Sequence, residues 1–141
     1  MLKDVINEFE DSIEFRNQEN DDVEKFFYEE LECKNVPEGV IEFYKDYDGC
    51  SLSINEIFSL EDIKNEVSEF FDDFLKGMGI DSSEYKYIPI ADDGMGGYYA
   101  FNADNDDETI YYLDHEFPDE IQSYENFEDF LNELCNMDTE I

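Results

Sequence analysis

Residues 86–116 read KYIPIADDGMGGYYAFNADNDDETIYYLDHE, and the alternation inside this stretch decides the fold. Ile88 and Ile90 alternate with Tyr87, Pro89 and Ala91; Tyr99 and Phe101 alternate with Tyr98 and Ala100; Ile110 and Tyr112 alternate with Tyr111 and Leu113. Successive side chains of an extended chain point to opposite faces, so a period of two in segments rich in β-branched and aromatic residues marks strands. Asp92-Asp93-Gly94-Met95-Gly96-Gly97 joins the first strand to the second; its glycines permit positive φ and its acids favour turns, which predicts a hairpin. Asn102-Ala103-Asp104-Asn105-Asp106-Asp107-Glu108 joins the second to the third and is too polar to bury and too short to link domains. The sheet is therefore antiparallel here, with one face for a core and one for something else.

Helical periods surround this sheet. Leu2, Val5, Ile6, Phe9 and Ile13 form one stripe of an amphipathic helix within residues 1–16. Asn20-Asp21-Asp22 offers caps and negative charge to the start of a second helix carrying Val23, Phe26, Phe27 and Leu31. Pro37 suits the first turn of a third, with Val40, Ile41, Tyr44 and Tyr47 inward and Gly49 as its C-terminal cap, so that Tyr47-Asp48-Gly49 reads as a turn. Residues 51–60 read as a short hairpin or bulged strand around Asn55-Glu56. A fourth helix over residues 61–76 carries Ile63, Val67, Phe70, Phe71 and Phe74, and Gly77 and Gly79 stop it. Residues 119–123 read as a last short strand, and Asn126 caps a closing helix with Phe127, Phe130, Leu131 and Leu134 inward. Helices packed on one side of a mainly antiparallel, twisted sheet make an α+β domain, and 141 residues suit a single domain over 1–141.

Charge narrows the partners. Asp and Glu number 41 against 8 Lys and Arg, a formal net charge of −33. Such a chain repels nucleic acid and anionic membrane and leaves a basic protein as the macromolecular partner. The alternative is a solvated acidic surface that keeps the chain soluble or suits it to high salt. An aromatic content of 16% separates it from disordered acidic tails, which are poor in Phe and Tyr. Cys33, Cys50 and Cys135 are odd in number and widely spaced, as small buried hydrophobes of a reducing cytosol would be. Neither a signal-peptide pattern nor a run of about 18 apolar residues appears, so the expected location is cytoplasmic.

Chemistry finds little support. Gly94-Met95-Gly96-Gly97 lacks a following Lys and has two carboxylates before it, so it reads as a turn and not a phosphate cradle. Asp104, Asp106 and Glu108 alternate somewhat like a calcium loop, yet Thr109 stands where glycine is needed and His115 where the closing Glu belongs. That segment reads as a solvated hairpin loop with at most weak cation binding. His115, the only histidine, lies between Asp114 and Glu116 and reads as a strand-end residue fixing a turn. One histidine without paired cysteines does not build an ordinary zinc site, and nothing supplies the third group a Cys–His dyad needs. No catalytic residue, metal or cofactor is expected.

The order of motifs resembles the SUKH superfamily. Val36-Pro37-Glu38 opening a helix that runs to Tyr47-Asp48-Gly49 is similar to the family's entry helix; Ile88-Pro89-Ile90-Ala91-Asp92-Asp93-Gly94, Gly97-Tyr98-Tyr99 and Ile110-Tyr111-Tyr112-Leu113-Asp114-His115-Glu116 are similar to its strand, Gly-rich turn and late strand; and Asn126-Phe127-Glu128-Asp129-Phe130-Leu131 is similar to its closing helix. The resemblance is strongest over residues 20–136, with the N-terminal helix added. It departs where Cys50 follows Gly49 in place of a second glycine, and in the absence of any tryptophan. The superfamily includes a fungal cell-wall-synthesis regulator and bacterial immunity proteins that neutralise polymorphic toxins, often nucleases. The resemblance thus implies a SUKH-like fold and a non-enzymatic immunity protein that neutralises a cognate basic toxin; the alternative is an intracellular regulatory adaptor of the fungal kind.

A meander places its successive turns at opposite ends of the middle strand. Asp92, Asp93, Asp114, His115 and Glu116, with Tyr98 as anchor, are accordingly expected to share one partner-binding end, which Tyr47-Asp48-Gly49 would also reach. Tyr99, Tyr111 and Tyr112 are further candidate anchors. Asp104, Asp106 and Asp107, at the other end, are expected to steer a basic partner from a distance.

Overall fold

The strands hydrogen-bond to one another in the order in which the chain makes them. The computed structural model describes residues 2–80, 86–114 and 122–139, and within them β1 (Phe15–Asn17), β2 (Tyr47–Ser51), β3 (Glu56–Ile57), β4 (Tyr87–Asp92), β5 (Tyr98–Asn102), β6 (Ile110–Leu113) and β7 (Gln122–Tyr124) form one antiparallel sheet. The three strands read from residues 86–116 are its centre, in the register Ile88 to Phe101 and Tyr99 to Tyr112. The pairing of β4 with β5 shifts between Pro89 and Ala91, where proline has no N–H to give the ladder.

Alternation sorts the side chains. Ile88, Ile90, Tyr99, Phe101 and Ile110 enter the main core with Leu2, Ile6 and Phe9 of α1 (Leu2–Phe9), Val40 and Tyr44 of α3 (Glu38–Asp46) and Phe127, Phe130, Leu131 and Leu134 of α6 (Phe127–Thr139). The α+β class and the antiparallel sheet stand as read. The other face of β4, β5 and β6 is covered as well: Tyr87, Ala100 and Leu113 pack with Phe71 and Leu75 of α5 (Phe71–Gly77) in a smaller cluster, so β4 is buried on both faces.

Several local expectations change. The first helix ends at Phe9; Ile13 is buried by a turn whose N–H bonds the Phe9 carbonyl, and Phe15 starts a strand against Cys50. Ile13 and Phe15 obey a period of two that the helical stripe concealed. The second helix, α2 (Val23–Lys25), continues as a π-helical turn at Phe26–Glu30, with no cap bond from Asp22; Asn20 instead donates to the Tyr44 carbonyl at 2.8 Å. The fourth helix is α4 (Leu60–Asn65), a π-helical turn Glu66–Phe70, and α5; the side chain of Phe70 lies outside the description. Tyr47-Asp48-Gly49 is strand and not turn: α3 passes directly into β2, with Tyr47 extended. Gly49 has φ +81 within that strand. The hairpin expected over 51–60 forms from β2 and β3. Of the last expected strand, Gln122 and Ser123 lie in β7 and residues 119–121 lie outside the described residues. Asn126 caps α6 as read, its Oδ1 accepting the Asp129 N–H at 2.9 Å.

Candidate functional site

Two turns meet at one end of the sheet. In the β4–β5 turn Gly94 has φ +74, and a Cβ there would collide with the carbonyl oxygen of Ile54 in the β2–β3 turn. Glycine is needed for both reasons. It is this β2–β3 turn, and not Tyr47-Asp48-Gly49, that reaches the acidic end; Tyr47 pairs with Asn17, and the Asp48 carboxylate accepts the Leu60 N–H at the start of α4. The β2–β3 turn is closed by Leu52 N–H to Asn55 oxygen at 2.9 Å and tied to α6 by Ser53 N–H donating to Asp138.

Asp93 is the internal brace of the other turn. Its carboxylate accepts the N–H groups of Met95 at 2.7 Å and Gly97 at 2.8 Å and the hydroxyl of Tyr112 at 2.5 Å. Burial would raise its pKa; the Tyr112 hydroxyl and the backbone N–H groups outweigh burial and hold it below the usual carboxylate value. With only 5% of its surface exposed, Asp93 turns its carboxylate inward, onto the turn it braces.

Asp92 stands differently. Half-buried at the end of β4, its carboxylate accepts the Glu56 N–H at 3.2 Å. Burial raises its pKa; backbone N–H groups of Glu56 and Gly94 offset part of this, and the charges of Glu56 and Asp93 push it further up. Across the pairing lies Tyr98, whose hydroxyl donates to Glu66 at 2.8 Å. Burial again, then Asp92 and Asp62, raise Glu66 against the effect of that bond. The Tyr98 ring is clasped by Phe58, Phe71 and Phe74 at centroid distances of 6.4, 5.2 and 5.0 Å, so it is packed rather than projecting.

Other expected anchors are similarly engaged. Tyr99 is buried and stacks on Tyr112 at 4.8 Å; Tyr111 meets Tyr87 edge-on at 5.7 Å. Leu113 pairs with Tyr98, which puts half-buried Asp114 at the same end as Asp92. Its charge adds to the burial and the Asp93 bond that keep the Tyr112 hydroxyl protonated. His115 and Glu116 lie outside the described residues.

Sequence reading missed the residue that holds this end together. Arg16, the only arginine, donates to the carbonyls of Asp48 and Ile57 at 2.8 Å each, to Ser51 Oγ at 3.0 Å and to Glu56 at 3.2 Å. A lone guanidinium in a chain of charge −33 was the available signal. Its planar set of donors fits a cluster of carbonyl and carboxylate oxygens better than an ammonium would.

The opposite end carries the three residues expected to steer a partner. Asp104, Asp106 and Asp107 are exposed. Asp104 lies 3.9 Å from Lys34, and Asp107 accepts the Thr109 N–H at 3.2 Å. Neighbouring Glu108 accepts the Glu38 N–H at 2.8 Å at the first turn of α3, where the helix dipole favours an anion. Burial pushes the thiols of Cys33, Cys50 and Cys135 up to about 12, so they are protonated at neutral pH and poor nucleophiles. Among the described residues no helix is long and apolar enough to cross a membrane.

No curated protein and no solved structure matches the chain. A family model does, over residues 19–133. That span runs from the segment before α2 into α6 and takes in β2 to β7, both turns of the acidic end and the loop that carries Asp104, Asp106 and Asp107. The chain belongs to the SMI1 / KNR4 family (SUKH-1).

Proposed function

We propose that this protein is an immunity protein that binds a cognate basic toxin, a nuclease of a polymorphic or contact-dependent system, and occludes its active or substrate-binding surface. Family membership supports an immunity or SMI1-like role in general. The observation that carries the finer reading is the net charge of −33. A nuclease surface must attract phosphate, and the same field attracts dense carboxylates. Steering also speeds encounter, which matters when the ligand is lethal. In this reading the whole chain acts as one cytoplasmic domain without a catalytic role. We assign Asp92, Asp114, His115 and Glu116 to the contact set and Asp104, Asp106 and Asp107 to attraction from afar.

Co-expression tests it. The toxin domain encoded beside this chain should arrest growth alone, lose toxicity in its presence and co-purify with it. Unrelieved arrest without co-purification would sink the immunity reading and favour a regulatory adaptor.

A further inference from the structure

Among the described residues most large apolar side chains are buried, but two exposed ones sit on neighbouring turns at the acidic end. Met95, at the tip of the β4–β5 turn, is 81% exposed, and Ile54, at the tip of the β2–β3 turn, is 51% exposed. A single exposed apolar residue means little. These two belong to turns in contact, since a Cβ on Gly94 would lie 3.4 Å from Ile54 Cγ2 as well as against its carbonyl. Met137, exposed on α6, is next to the Asp138 that holds Ser53.

Both tips are held from within. Asp93 fixes the N–H groups of Met95 and Gly97. Asn55, only 7% exposed, closes the other turn through its carbonyl and hydrogen-bonds Tyr99 through its side chain. An anchor on a rigid turn has little entropy left to lose on binding. The flexible thioether of Met95 can still adapt to an irregular recess.

Charge decides what such an anchor meets. At the same end Asp92 pairs with Glu56, Asp114 follows Leu113 opposite Tyr98, and Asp138 holds Ser53 of the β2–β3 turn. A second copy would bring the same carboxylates and be repelled, and so would an anionic lipid surface. We infer that Ile54 and Met95 are the apolar anchor of the partner interface, and that the surface they fit is an apolar recess of a protein, rimmed by Lys or Arg. The inference rests on the protein-binding part of the function proposed above, not on the partner being a nuclease.

The test pans a random peptide library displayed on phage against the full chain. Enriched peptides are then titrated against wild type and the Ile54→Ser, Met95→Ser double variant. Both substitutions are at exposed tips, and an unchanged melting curve verifies the fold. The expected peptides carry a large apolar residue flanked by Lys or Arg and lose at least about tenfold affinity for the double variant, the scale of a minor hot spot. Asp92→Asn with Asp114→Asn should weaken the same peptides and flatten their salt dependence. Peptides that lack basic residues, bind both proteins equally, or fail to enrich overturn the inference. So does self-association of wild type that the double variant loses, because the patch would then belong to a second copy. Failure of the toxin reading shows separately, as growth arrest without rescue while the peptide result stands.

Discussion

Arg16 occupies the space that Gly49 leaves empty: its Nη2 lies 2.5 Å from where a Cβ on Gly49 would stand. That Cβ would also come within 2.6 Å of the Phe58 carbonyl and collide with that of Ile57, and the glycine has φ +81. The Ile57 carbonyl accepts from Arg16 at 2.8 Å and the Phe58 carbonyl from the Tyr44 hydroxyl at 2.6 Å, so neither retreats without straining a hydrogen bond. Gly49→Ala should therefore destabilise the fold by at least about 2 kcal/mol, from the left-handed backbone together with overpacking. Gly77, at the end of α5, has nothing within 4 Å of its would-be Cβ. Gly77→Ala should be neutral or stabilising by up to about 1 kcal/mol. Urea midpoints at unchanged slope decide both; equal midpoints for the two variants would refute the Arg16 argument.

Acid should act in two directions. Asp92 and Glu66 have raised pKa values when folded, so over the window between unfolded and folded values the native state holds more protons. Stability then rises as pH falls through the raised values and levels off below the unfolded ones. Asp93 is lowered, so its contribution is present above the unfolded carboxylate value and disappears as pH falls through its depressed one. Melting temperature should thus climb on mild acidification and drop in strong acid. Asp92→Asn and Glu66→Gln, which keep an acceptor oxygen, should melt higher than wild type at pH 7 and converge with it at low pH. Asp93→Asn should melt lower at pH 7. A wild-type melting temperature that falls steadily from neutral pH would contradict this.

Moderate salt should stabilise the protein. The ion pairs at Lys34, Lys45, Lys64 and Lys76 are exposed, and pairs of that kind contribute about 0–1 kcal/mol each. Repulsion among 41 acidic residues is the larger effect, and salt screens it. Raising monovalent salt to about 0.3 M, where the Debye length is well below ~10 Å, should raise the melting temperature. A decrease would show that specific pairs dominate.

The elements legible in sequence were those whose partners are near in the chain. β4, β5 and β6 declared themselves by alternation, and Asn126 by its place before Phe127. What escaped depends on distant contacts. β1 is three residues long and is defined by its pairing with a distant strand, Phe15 with Cys50 and Asn17 with Tyr47. Gly49 mimics a helix cap locally, and only Arg16 and the carbonyls of Ile57 and Phe58 explain its position inside a strand. At the acidic end, sequence placed Asp92 and Asp114 together but could not tell that Asp93 turns inward, because an Asp before Gly suits a solvated turn equally well. It put Met95 in a turn, but nothing in residues 51–60 marked Ile54 as an exposed turn tip.

The two acidic ends should separate kinetically. Neutralising Asp92 and Asp114 to Asn should raise the off-rate of the cognate toxin, because charges in close contact resist dissociation. Neutralising Asp104, Asp106 and Asp107 should lower the on-rate and its salt sensitivity while leaving the off-rate nearly unchanged. Asp92 sharpens the expectation, since its charge is crowded by Glu56 and Asp93 and disfavoured by burial. Asp92→Asn should thus raise the melting temperature and shorten the lifetime of the complex in the same protein, a trade of stability for function. Surface plasmon resonance against the toxin, beside thermal melts of each variant, reads both. If the loop substitutions alone abolish binding at high salt while Asp92→Asn and Asp114→Asn leave the off-rate untouched, the contact lies at the other end of β5.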